Sequence, residues 1–170
     1  ARTNLEESTL AWARLGDHLH SALTGDNYDS ARLLLTGRIG EFELRGDPIA
    51  MVPARDSLLI TGSDDVDGLR MMHDLAQQQL AEDPRPLSGI PLRLVDDEWE
   101  DWLPPAGHPL HADFDWMAQM FLGGLYSDQQ DLLNAIHEKE QIDVHVASFS
   151  AVENQAGQKR SYCVWGEGVD

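Results

Sequence analysis

Between Asp47 and Gly62 the chain sets two short apolar runs, residues 49–52 and 58–60, on either side of Pro53, Ala54, Arg55 and Asp56. Apolar runs this short, bounded by Pro, Gly and Asp, read as buried strands joined by a tight turn. They predict the centre of an antiparallel sheet, and the neighbouring segments are read around it. Glu41, Phe42, Glu43 and Leu44 alternate polar and apolar as a half-exposed strand does, and Arg45, Gly46 and Asp47 turn the chain into the first run. The expectation is a three-stranded antiparallel meander over residues 41–62. Within its turn, Arg55 and Asp56 admit two readings. They are a fixed charge pair at the mouth of a pocket, or turn chemistry in which Asp56 bonds backbone N–H groups while Arg55 stays in water.

Upstream, Leu5, Trp12, Leu15, Leu19 and Leu23 fall near helical spacing with Gly25 as a stop, which predicts an amphipathic helix over residues 5–23. Asn27 and Asp29 offer caps for a second helix with Ala31, Leu34, Leu35 and Ile39 on one face. A strand over 33–35 stands as the alternative, because periodicity does not decide so short a run.

Downstream, Leu69, Met72, Ala76 and Leu80 mark a helix that Pro84 and Pro86 end. Asp64, Asp65 and Asp67 precede it, where the helix dipole favours negative charge. The same acids fall short of a calcium loop, since Ser63 and Asp74 stand at its end positions and the residues between carry a helical stripe. Residues 90–95 read as a strand, and the proline-rich segment 103–112 as a boundary. Beyond it, Phe114, Met117, Phe121 and Leu125 form a helical stripe expected to stop at Gly123 and Gly124. Ser127 and Gln130 form a capping box for a further helix. Residues 142–150 and 161–165 read as a hairpin around 154–157. The predicted fold class is α+β: an antiparallel sheet with helices on one face, over residues 1–103, and a helix–hairpin extension over 104–170. The extension is expected to dock on the first unit, because an isolated two-stranded hairpin is marginal in water.

Composition narrows the function classes. An apolar fraction of 42% supplies a core, no apolar run reaches the roughly 18 residues of a membrane span, and the N-terminus lacks a signal-peptide pattern. The chain begins at Ala1 rather than Met, as a fragment or processed form does. One cysteine, Cys163, fits a reducing compartment, so a cytoplasmic location is expected. Thirty acidic against twelve basic residues give a net charge of −18. Phosphate backbones and anionic lipids are bound by Lys and Arg, so this balance argues against nucleic acid and membrane surfaces as direct partners. It suits solubility, or a protein partner with a basic surface.

Several short segments, taken in order, carry a resemblance. These are Asn4 and Leu5, then residues 28–34 (Tyr28, Asp29, Ser30, Ala31, Arg32, Leu33, Leu34), then Val52 and Pro53 followed by residues 56–60, and finally Gly68 and Leu69. Over about residues 1–103 this set resembles the C-terminal half of an uncharacterised bacterial family, domain of unknown function 1444. The resemblance implies a bacterial, cytoplasmic protein with further chain preceding this point, and it brings no activity, cofactor or catalytic residue. The tail from about residue 104 departs from the compact members of that family.

Three constellations remain. His108, His111, Asp113 and Asp115 are the best metal candidate, two imidazoles and two carboxylates within eight positions, able in principle to hold Zn²⁺ or a harder divalent cation for hydrolysis. Pro109 keeps the two histidines off a regular helix turn, and the bland reading is a polar connector capped at Asp113. Cys163 reads as a core cysteine, with His145 as a base only if the hairpin brings it near. The acidic aromatic run from Asp96 to Trp102 is the candidate interaction surface: Trp99 and Trp102 as anchors, Asp97, Glu98 and Asp101 as charges that attract a basic partner. The alternative has the tryptophans sealing the core with the acids in water. No nucleophile elbow, phosphate loop or dinucleotide fingerprint occurs in the sequence. The expected function is a non-catalytic acidic interaction module without a cofactor. A metal-dependent hydrolase built on the His108 cluster is the alternative.

Overall fold

Two strands, β1 (Trp12–Leu15) and β2 (Leu19–Ala22), replace the later part of the helix expected over residues 5–23, of which Leu5 is helical. The computed structural model describes residues 5, 12–22, 24–154, 157 and 159–166; Asn4 and Leu23 lie outside them. Gly16 turns the chain with φ of 59°, a conformation that a helix interior does not contain and glycine adopts without strain. Pairing then sets Trp12 opposite Ala22 and Leu15 opposite Leu19. The leucine spacing that mimics a helix is the spacing of two strands folded across Gly16. The second expected helix survives in two short pieces, a 3-10 segment (Asp29–Leu34) and α1 (Thr36–Ile39).

The strands expected at the centre are there. β3 (Pro48–Met51) and β4 (Leu59–Gly62) pair antiparallel, with Ala50 opposite Ile60. They occupy the middle of a six-stranded antiparallel sheet of order β1-β2-β4-β3-β5-β6, completed by β5 (Leu92–Val95) and β6 (Glu98–Asp101). The sheet is thus three hairpins side by side, and with the helices it makes the fold α+β. The meander is corrected at its first strand. Residues 41–44 form a turn after α1, with Phe42 N–H donating to Ile39 C=O at 3.1 Å, and the neighbours of β3 and β4 are β5 and β2 instead. The alternation of 41–44 still decides which side chains are covered. Phe42 and Leu44 pack on the core while Glu41 and Glu43 stay exposed.

All four residues of β4 are buried. Successive strand residues face opposite ways, so both faces of the centre are covered. On one, Ala22, Ala50, Leu58 and Ile60 cluster with Ile39 of α1. Each fully buried Leu or Ile contributes roughly 1.5–3 kcal/mol. The other face takes α2 (Val66–Glu82), which packs on β4 and β2 through Gly68, Leu69, Met72 and Ala76. Close approach makes Gly68 obligatory. A β-carbon there meets Thr61 Oγ1, and comes within 2.8 Å of His18 C=O. Asp65 caps α2, its carboxylate accepting from Gly68 N–H at 3.0 Å, as the acidic run before it predicts.

Internal contacts divide the chain into residues 1–115 and 116–170, the division falling just inside α3 (His111–Glu140). That helix runs unbroken where two are expected. Gly123 is helical because the Phe149 ring sits against it, 3.1 Å from where a β-carbon would lie, so it serves close packing rather than termination. The second unit adds a hairpin of β7 (Ser148–Glu153) and β8 (Lys159–Val164); Gln155 and Ala156 of its expected turn lie outside the described residues. Tyr126 rests on Phe149 at 5.5 Å, and the Lys159 ammonium lies 5.3 Å from the Trp116 ring centroid.

Candidate functional site

β5 and β6 are joined by Asp96 and Asp97, both with positive φ (48° and 65°), the backbone of a two-residue hairpin turn that Asp tolerates. The turn sets Trp99 opposite Leu94 and Glu100 opposite Arg93. Trp99 faces inward. Its indole N–H donates to Leu33 C=O at 2.9 Å, and its ring packs on the core cluster. Trp102 stands edge-on to Phe114, ring centroids 6.5 Å apart, and its backbone N–H donates to Pro91 C=O at 2.9 Å. Both tryptophans therefore work within the fold and anchor the strand. Glu100 receives the Arg93 guanidinium at 2.5 Å. Asp97, Glu98 and Asp101 are exposed, with no side-chain hydrogen bond or ion pair among the described residues. β6 is the last strand of the sheet, so these carboxylates line an edge.

The second feature is a cleft of about 570 Å³ bounded by the 26–28 loop, the β3–β4 turn and residues 83–87. Arg55 and Asp56 both line it, whereas His108 does not. The Arg55 guanidinium lies 5.1 Å from the Tyr28 ring centroid, and Arg55 C=O accepts from Ser30 N–H at 3.2 Å. Asp56 does not close the turn as the sequence suggests. Ser57 N–H donating to Ala54 C=O at 3.2 Å closes it, because a four-residue turn brings those two backbone groups together without side-chain help. The Asp56 carboxylate makes no hydrogen bond or ion pair among the described residues.

At the cleft's rim lies a constellation the sequence reading misses. Arg32 is fully buried and its guanidinium reaches Asp26 at 2.7 Å and Asp29 at 3.3 Å. Hydrogen bonds from Arg32 and from Tyr28 N–H, with a further one from Thr24, hold the Asp26 carboxyl well below the usual carboxylate range. Asp29 and Arg32, three apart, were the legible signal, since that spacing puts opposite charges on one helical face. A second, polar recess of about 290 Å³ is lined by His18, His20, Arg14, Arg45 and Asp65. There His18 Nδ1 meets the Asp65 carboxylate at 2.9 Å. Burial raises the Asp65 carboxyl, but the bonds from Gly68 N–H and His18 outweigh it and leave it below its ordinary value. This pair ties the β1–β2 turn to the start of α2.

The four residues of the metal candidate take separate roles. His108 Nδ1 accepts from Leu110 N–H at 3.2 Å, while His111 Nδ1 donates to Pro104 C=O at 2.6 Å. Asp113 lies in the first turn of α3, where the dipole favours an acid, and Asp115 follows it. Among the described residues no group of three or more His, Cys, Asp or Glu side chains is placed to hold a metal ion. Cys163 is exposed rather than in a core, because β8 turns most of its side chains to water; its strand partner is Phe149, not His145. Among the described residues no helix is long and apolar enough to cross a membrane.

Compared with known proteins, the chain matches no family model, and no curated protein or solved structure aligns with it significantly. The resemblance of residues 1–103 to domain of unknown function 1444 rests on the quoted residues alone.

Proposed function

We propose that this chain is a non-catalytic, acidic interaction module of a bacterial cytoplasmic protein, and that it meets a basic protein partner along the β6 edge. The observation that carries this reading is the state of Asp97, Glu98 and Asp101, three exposed carboxylates without partners among the described residues, in the turn before and along a terminal strand whose own tryptophan is locked into the core. An edge strand offers unpaired backbone groups, and acids along it repel a second acidic edge while admitting a basic one. Rim charges of this kind act on association rate and salt dependence more than on packing. The net charge of −18 adds a long-range field of the same sign.

The test is binding of the purified chain to a panel of Lys/Arg-rich proteins and peptides at low and high salt, about 50 mM and about 500 mM, beside the triple variant Asp97→Asn, Glu98→Gln, Asp101→Asn. A subset of the panel is expected to bind at low salt only, and the variant to lose that binding. Equal binding by the variant removes β6 as the surface. No salt-sensitive binding to any member removes the reading itself.

A further inference from the structure

The C-terminal end of α2 and the β3–β4 turn bound a recess of about 340 Å³ whose lining includes Asp56, Ser57, Gln79, Glu82 and Asp83. Ser57 is 5% exposed. Its Oγ and the Oε1 of Gln79 are buried and have no hydrogen-bond partner among the described residues. Buried oxygens without partners are uncommon because they have given up water for nothing, and two in the lining of one recess call for a ligand that brings donors.

The surroundings set the sign of that ligand. Asp56 is unpaired among the described residues. Glu82 Oε1 accepts from Gln78 at 3.0 Å and Asp83 Oδ1 from Arg85 N–H at 2.7 Å, which leaves each carboxylate further acceptor capacity. Among the described residues no basic side chain lines the recess, and the last turn of α2 carries none. The negative end of the helix dipole is therefore not offset there.

We propose that this recess binds an organic cation, a guanidinium or alkylammonium group, held by the Asp56, Glu82 and Asp83 carboxylates and by Ser57 and Gln79. A metal ion needs its ligands to converge on one point at roughly 2.0–2.6 Å, and no such group exists among the described residues. The N–H donors of a guanidinium spread over a planar fork, each reaching its own acceptor at about 2.7–3.2 Å, which suits acceptors distributed around a recess. The site shares no residue with the β6 edge and stands independently of it.

Calorimetric titration of the whole chain with agmatine, and with a blocked Gly-Arg-Gly peptide, tests the proposal, a citrulline-for-arginine peptide being the neutral control. Saturable binding of the arginine peptide is expected, with the citrulline peptide at least about tenfold weaker. Agmatine binding as well as the peptide assigns the recess to a free small cation; the peptide binding alone assigns it to a partner's side chain. Asp56→Asn, an exposed change, and Ser57→Ala are each expected to weaken binding about three- to tenfold with unaltered melting curves. The triple β6 variant is expected to bind agmatine or the peptide like the parent. Absence of saturation, equal binding of the citrulline peptide, or unchanged binding by both single variants overturns the proposal.

Discussion

Arg32 shows how much one residue can decide. A fully buried guanidinium is tolerated because the Asp26 and Asp29 carboxylates, the latter also held by Thr24, face it from around the 3-10 segment. Arg32→Ala leaves Asp29, itself 3% exposed, without its cation, and is expected to lower unfolding free energy by about 3–5 kcal/mol in urea titrations. Arg32→Lys is expected to recover only part, since an ammonium cannot match the planar fork. His20 makes a separate, pH-dependent contribution. Burial, and then the charge of Arg14, hold its imidazole below the ordinary 6.5, and the ring stacks on Phe42 at 4.4 Å. A histidine with a lowered folded value resists protonation, so its share of stability is complete above pH 6.5 and declines as pH falls through that value toward the folded one. The Asp26 carboxyl follows the same sign lower down. Its contribution is complete above its ordinary 3.8 and is lost in more acid solution. Denaturation midpoints measured from about pH 8 to about pH 5 are expected to fall more steeply for the parent than for His20→Gln.

Among the elements, α2 is the one whose placement is most exposed to a single change. It reaches β4 because Gly68 has no β-carbon to push against Thr61 and the His18 carbonyl. Gly68→Ala raises local helix propensity, yet is expected to destabilise the protein by about 1–3 kcal/mol, because overpacking at a close contact outweighs propensity. Thermal melts of Gly68→Ala beside Gly124→Ala separate the two effects, since Gly124 is helical and a β-carbon there would meet nothing within 4 Å. The elements also show where local patterns are legible. α2 and the pair β3–β4 were readable because periodicity, an acidic start and a proline stop agree. The β1–β2 hairpin was not, because Leu15 and Leu19 are four apart on a helix and directly opposite across a tight hairpin. Only the pairing of His20 with Ile60, far along the chain, separates the two. Likewise the glycines of α3 read as a stop until Phe149 is seen to lie against Gly123.

Taken whole, the molecule is dominated by its charge. At −18 the folded chain repels itself, and the named ion pairs neutralise only a few of its acids. Added salt screens that repulsion within a Debye length of about 10 Å at about 0.1 M. The melting temperature is therefore expected to rise between about 10 mM and about 500 mM sodium chloride, whereas binding of a basic partner weakens over the same range. A melting temperature independent of salt in that interval contradicts the account. Acidity was plain in the composition. That the carboxylates without a cation among the described residues include those of the β6 edge and Asp56 beside Ser57 was not, because which carboxylates find a cation depends on the fold.

The sequence by itself determined the class of fold, its two central strands, the long helix after Asp65, the C-terminal hairpin and the sign of the surface. Each of these rests on local physics: alternation, periodicity, capping acids, prolines and net charge act over a few residues or over none in particular. The tertiary structure alone decided that residues 12–15 and 19–22 are strands, that Arg32 is enclosed, that Trp99 belongs to the core while Asp97, Glu98 and Asp101 stand free among the described residues, and that His108, His111, Asp113 and Asp115 disperse. It also set Arg55 over Tyr28 and left Asp56 without a partner among those residues. Those outcomes turn on which atoms meet across long stretches of chain, and no local pattern carries that information.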